Sequence, residues 1–219
     1  MSLAEKIAIR IGNNAKLFLK VDEDQEQVIV YGAINLFQVI FAFLWVIIAG
    51  VFFGVLYEAL VFTATVGILR KYSGGAHASS SSRCIIIGTI LAVLAGIIIN
   101  NVLYIANNYL VLLISVAFMI FSFMIVAKNA PVDSIKKPIN NIEMRKQFRK
   151  KSITVLSIYS IIIMILFILN KKYLELHYIK LMEIISLGVL WQTITLTKNG
   201  IRFLNKVDFV LKYITDRKG

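Results

Sequence analysis

From Val28 to Leu69 the chain carries a single charged side chain, Glu58. One passage through the hydrocarbon core of a bilayer takes ~20 apolar residues, and this stretch is about twice as long, so it must cross twice. Gly50 and Gly54 are the natural place for the turn between the two crossings, residues 28–69. The second crossing is then short, and it reads equally as a full span or as a re-entrant segment. Four more apolar stretches follow at 85–105, 109–127, 153–169 and 181–196, separated by polar connections. The expected fold is an all-α integral membrane protein, one domain over residues 1–219, with about six transmembrane or re-entrant helices.

Composition excludes the soluble alternative. With 58% hydrophobic and 16% charged residues, the chain lacks the polar side chains needed to cover a water-exposed surface. Leu3, Ile7, Ile11, Ala15, Phe18 and Leu19 recur at three- and four-residue spacing between Glu5, Lys6, Arg10 and Asn13. This pattern predicts an amphipathic helix over 1–21 lying on the membrane surface. The same charges interrupt the apolar run, so no cleaved secretory signal is expected. Asp22 to Glu26 reads as an acidic break. At the other end, Ile201, Leu204, Val207, Leu211 and Ile214 alternate with Arg202, Lys206, Lys212 and Arg217, which predicts a second interfacial helix over 200–219.

The net charge of +12 does not point to nucleic acid, because the basic residues are confined between apolar runs instead of covering one solvated face. They report topology. With six crossings and an internal N-terminus, 21 of the 24 Lys and Arg residues fall on the inner side, leaving Lys171, Lys172 and Lys180 outside. By the positive-inside rule, both termini and the 70–84 loop are expected in the cytoplasm. The 128–151 connection is a basic cytoplasmic loop, with 8 Lys and Arg against Asp133 and Glu143. Pro131 and Pro138, the only prolines, imply an extended entry and then a helix from Asn140. Two roles stay open for it: an anchor on anionic lipid, or a docking surface for an acidic peptide through Lys136, Lys137, Arg145 and Lys146.

The segment 70–84, RKYSGGAHASSSSRC, concentrates the chemistry. It holds the only cysteine, Cys84, and one of two histidines, His77. A thiol and an imidazole near the end of a span are the two parts of an activated nucleophile. On a straight helix a spacing of seven positions would separate the pair by about 10 Å, too far for proton transfer. The Ser79–Ser82 run is therefore expected to fold back. Cys84 directly precedes an apolar run, so it belongs at a helix N-terminus, where the dipole favours a thiolate, with Arg70, Lys71 and Arg83 as electrostatic support. The bland alternative, a buried cysteine acting as a small hydrophobe, would sit better in mid-span. Gly74 and Gly75 suit either an oxyanion hole or a simple tight turn. The reading is a Cys84–His77 dyad with no third member named. His177, expected outside, is read as an interfacial histidine without a partner. Glu58 is expected to be paired or protonated. One Cys and two His on opposite sides of a membrane cannot close a zinc site, so neither metal nor cofactor is expected.

These residues resemble a known family. The amphipathic start, the Arg70, Gly74-Gly75, His77 and Cys84 pattern, and the basic loop opening at Ala130-Pro131 and running through Lys136-Lys137-Pro138 are similar to the accessory gene regulator B (AgrB) family. These are membrane cysteine endopeptidases of Gram-positive bacteria that mature quorum-sensing peptides. The resemblance implies a multi-pass protein of the bacterial cell membrane acting as a homodimer. Its substrate would be a propeptide with an amphipathic N-terminal helix and an acidic C-terminal tail. Cys84 would cleave off the tail, holding the remainder as a thioester until a propeptide side chain closes a thiolactone ring. The alternative is a transporter or exporter of a small peptide, with the second crossing as a re-entrant pore element and Glu58 on its path. A purely structural scaffold for an amphipathic partner is the third reading.

Overall fold

A computed structural model of the chain describes residues 3–19, 22–76, 78–101, 107–133 and 141–216. Among them are eight helices and no β-strand, the only bridge being an isolated pair between Gly74 and Val132. The helices are α1 (Leu3–Leu19), α2 (Glu23–Phe52), α3 (Leu56–Ser73), α4 (Ser81–Asn101), α5 (Asn108–Asn129), α6 (Ile142–Tyr173), α7 (Leu176–Ile194) and α8 (Lys198–Asp216).

Helix α1 lies on α2, with Ala8 buried and Lys16 2.9 Å from Glu26. The acidic run 22–26 does not interrupt the chain; it opens α2. Asp22 is the N-cap and accepts from the Gln25 amide at 2.7 Å, and Glu23, Asp24 and Glu26 fill the first turn. The positive end of the helix dipole makes that the favourable place for carboxylates. Helix α2 ends at Phe53 and Gly54, which has φ +67, and α3 starts two residues later.

Helices α2, α4, α5 and α6 are each long and apolar enough to cross a bilayer, while α7 and α8 pass that test only as a pair bent by 89°. Helix α3 is not among them: its 18 residues include Glu58, Arg70 and Lys71. The protein is thus an all-α membrane protein with four to five such spans and α3 packed among them. Leu36, Ile40, Leu44, Leu94, Leu113 and Ile165 stay exposed on the outer helix faces, as hydrocarbon solvent allows.

The core is organised by α7, which packs against α3, α4, α5 and α6. It buries Ile179, Met182, Ile184, Ile185 and Val189. Gly188 lets α3 approach closely, since a Cβ there would stand 3.0 Å from the Thr65 side chain. Polar residues gather at the C-terminal end of α7, where Gln192, Thr193 and Thr195 are fully buried. Helix α6 begins well before the apolar run. Asn141 caps it by accepting from the Glu143 and Met144 amides, so Arg145, Lys146, Arg149, Lys150 and Lys151 are helical and continuous with the span. His77, Lys136, Lys137 and Pro138 lie outside the described residues, as does the end of the expected 85–105 span.

Candidate active site

Helix α3 stops at a turn that only glycine can make. Gly74 has φ +67 and ψ −146, and Gly75 has φ +130, backbone regions that side chains disfavour. A Cβ at Gly74 would collide with the Val132 carbonyl, and one at Gly75 would stand 2.7 Å from Thr195 Oγ1. Ser73 and Val132 pair here, the Val132 amide donating to the Ser73 carbonyl at 2.9 Å. Gln192 Nε2, from the end of α7, donates to the Gly74 carbonyl at 2.7 Å and to Ser73 Oγ at 3.0 Å. The Gly74 amide donates to Arg70 O, the Gly75 amide to Val132 O and the Ala76 amide to Thr195 O. The amides of Gly74 and Gly75 are therefore committed to carbonyls of the protein, as a tight turn requires.

Cys84 occupies the first turn of α4, its amide donating to the Ser80 carbonyl at 3.0 Å. Ser79 and Ser80 form a bend, whereas Ser81 and Ser82 already belong to α4. The fold-back expected of all four serines is thus confined to the first two, because a helix N-terminus accepts serine readily. The thiol is half-buried and lines a cavity of about 800 Å³ between α2, α3 and α4. Its walls are mainly apolar, among them Val39, Phe43, Phe62, Ile87 and Leu91, with Trp191 and Leu204 contributed by α7 and α8.

Arg70 enters the same cavity and is an electrostatic neighbour of Cys84. One guanidinium N–H donates to the Ala76 carbonyl, while Nε is buried with no acceptor among the described residues. No carboxylate pairs with Arg70 there. Lys71 also lines the cavity, its ammonium 5.6 Å from the centre of the Tyr72 ring.

Arg83 behaves differently from the support role expected for it. Its Nε lies 2.7 Å from Asp208 Oδ1 on α8, and a second N–H donates to Ser79 Oγ. Its charge is neutralised locally by Asp208, which also accepts from the Ser79 amide at 3.1 Å and the Ser79 hydroxyl at 2.6 Å. Burial would push the Asp208 carboxyl up, but the hydrogen bonds from Ser79 and Arg83 outweigh it and hold the group below the ordinary carboxylate value.

Of the tail-docking candidates, Arg145 is engaged internally, bonding Asp133 at 3.1 Å and the Pro131 carbonyl at 3.3 Å. Arg149 braces the same strand of backbone through the Ala130 carbonyl at 2.8 Å. Lys146 is exposed. His177 is not without a partner: its ring centre is 5.1 Å from that of Tyr57, with Nε2 3.5 Å from the Tyr57 hydroxyl. Sequence reasoning missed Gln192, Thr195 and Asp208. Only Asp208 left a trace, as one of two acidic residues on a helix that also carries Lys198, Arg202, Lys206 and Lys212.

Fold and site together define a polytopic helical membrane protein with one thiol at an apolar cavity beside a buried guanidinium. The chain belongs to the accessory gene regulator B family, whose model matches residues 4–196. An AgrB-like protein of Clostridium perfringens (strain SM101 / Type A) is 35% identical over 208 residues, covering 94% of this chain and 97% of the relative. AgrB-like protein 2 of Clostridium perfringens (strain 13 / Type A) is 35% identical over 207 residues, with the same coverage. No solved structure matches.

Proposed function

We propose that this protein is a cysteine endopeptidase that removes the C-terminal tail of a membrane-bound quorum-sensing propeptide through a Cys84 acyl-enzyme. Family membership ties the chain to accessory gene regulator peptide processing. The observation that carries the finer reading is the shared cavity of Cys84 and Arg70, in which the guanidinium has no carboxylate partner among the described residues. Arg70 thus places a fixed positive charge in the cavity where the Cys84 sulfur has to act as nucleophile. Ala76 and Ala78, which flank His77 in sequence, line the same cavity as Cys84, which supports His77 as the base.

In this reading His77 takes the Cys84 proton, and the thiolate attacks the carbonyl carbon of the scissile peptide bond. The C–N bond breaks, His77 returns the proton to the departing amine of the tail, and the remaining propeptide is left as a thioester. A propeptide thiol then attacks the thioester carbonyl, closing the thiolactone and returning Cys84 as a thiol. One thioester replaces another, so little free energy is lost, provided that water is kept out. The apolar cavity walls serve that purpose. Lys146, with Lys136 and Lys137, would attract the acidic tail, while the membrane concentrates an amphipathic substrate. The active form is a homodimer in the cell membrane with both termini cytoplasmic.

The test is the intact mass of purified protein in nanodiscs after brief incubation with such a propeptide. An adduct equal to the tail-less propeptide is expected on the wild type and not on Cys84→Ala. Absence of both adduct and released tail, with a substrate shown to bind, would overturn the reading in favour of transport.

A further inference from the structure

We infer that Asp208 is a positioning residue for Cys84, which makes the C-terminal helix α8 a working part of the site; the inference rests on the peptidase reading above. Asp208 stands beyond the residues matched by the family model, and its hydrogen-bond partners among the described residues are Ser79 and Arg83. It acts through Ser79 and Arg83, both on the N-terminal side of the nucleophile. Ser79 sits in the bend leading into α4, and Arg83 is the immediate neighbour of Cys84.

Three donors converge on the Asp208 carboxylate: the Ser79 amide, the Ser79 hydroxyl and Arg83 Nε. Arg83 and Asp208 side chains are each only 14% exposed, so this is not a solvent-screened surface pair. An ionised carboxylate accepts at both oxygens and suits this convergence; a carboxamide keeps one acceptor and turns its other end into a donor. The chain ahead of Cys84 is therefore held at two points, Ala76 and Ser79, by consecutive helices. The Ala76 amide is bound by the Thr195 carbonyl at the end of α7, and Ser79 is bound by α8. The two helices meet at a bend of 89°, and α8 is anchored at its start by Thr197, whose hydroxyl accepts from the Gly200 amide at 3.0 Å. Leu204, one helical turn before Asp208, is buried and closes the cavity wall beside this bracket. Asp208 also keeps the Arg83 charge occupied, so that the unneutralised positive charge at the cavity comes from Arg70 and Lys71.

The experiment uses the full chain in nanodiscs, with kcat and KM for tail release and hydrogen exchange of the 78–84 segment measured in parallel. Asp208→Asn should lower kcat by about ten- to a hundred-fold, the range for a small displacement of a reacting group, with KM within about two-fold because the cavity walls are untouched. Asp208→Glu, which keeps the charge, should recover most of the rate. Exchange of the 78–84 amides should rise in Asp208→Asn while α3 and α7 stay protected. A kcat within two-fold of wild type, a change confined to KM, or unchanged exchange in 78–84 would each overturn the inference. If Asp208→Asn loosens the whole bundle, Ser79→Ala, which leaves the Arg83–Asp208 pair intact, decides by the same readouts with a smaller expected drop. Should the wild type itself fail to cleave, the peptidase reading falls, and the exchange arm alone decides whether Asp208 holds the segment.

Discussion

Gly74, Cys84, Arg70 and Arg83 show how differently neighbouring residues can be constrained. Gly74 is demanded twice, by a positive φ and by a Val132 carbonyl where a side chain would go. Holding a side-chain-bearing residue in such a conformation costs about 1–3 kcal/mol, and the collision adds to that. Gly74→Ala should therefore lower the thermal unfolding midpoint, read by tryptophan fluorescence in detergent, and reduce tail release by at least ten-fold. An unshifted midpoint would mean that the turn relaxes at no cost. Arg70 and Arg83 look alike in sequence, two basic residues bracketing a histidine just ahead of a cysteine. Arg83 meets Asp208, whereas Arg70 keeps a buried Nε without an acceptor among the described residues. Nothing local to residues 70–84 distinguishes them, because the partner that does so is more than a hundred positions away.

At the scale of elements, the connection between α5 and α6 divides into bracing and exposed parts. Arg145 and Arg149 hold the carbonyls of Pro131 and Ala130, and Val132 in turn pairs with Ser73 and Gly75. The entry to the basic loop thus supports the glycine turn of the site. Arg145→Gln and Lys146→Gln should separate these roles. The first should loosen the 130–133 segment and lower kcat, with binding of the acidic tail little changed. The second should weaken tail binding in a way that fades as salt is raised, since an exposed charge is screened; titration of a fluorescent tail peptide at low and high salt reads both. Helix existence was legible here from apolar periodicity, and the α6 start, expected at Asn140, from the prolines; the cap itself is Asn141. The bracing was not legible, because it depends on which backbone carbonyls the fold leaves unpaired beside α6.

For the whole molecule, the distribution of basic residues predicts the orientation in the membrane. Counted with α2 to α7 each crossing once, 21 of the 24 Lys and Arg fall on one side, and the α6–α7 connection should then face outward and α8 inward. In a Cys84→Ala background, Lys172→Cys should react with a membrane-impermeant maleimide added to intact cells, and Lys206→Cys only after lysis. The reverse pattern would invert the topology and place Cys84 outside.

An all-α membrane protein, its turn near Gly50 and Gly54, its amphipathic ends and the chemical concentration in 70–84 all follow from local patterns. Bilayer thickness and helical period act on consecutive residues, so consecutive residues record them. The acidic run 22–26 misled because a carboxylate cluster can end a helix or begin one, and only the register of the following turn decides. Tertiary structure alone brought Gln192 and Thr195 against the glycine turn, set Asp208 on Ser79 and Arg83, and put Arg70 and Cys84 on one cavity. Those contacts join residues distant in the chain, and a hydrogen bond across a helix bundle depends on packing angles that no local pattern encodes.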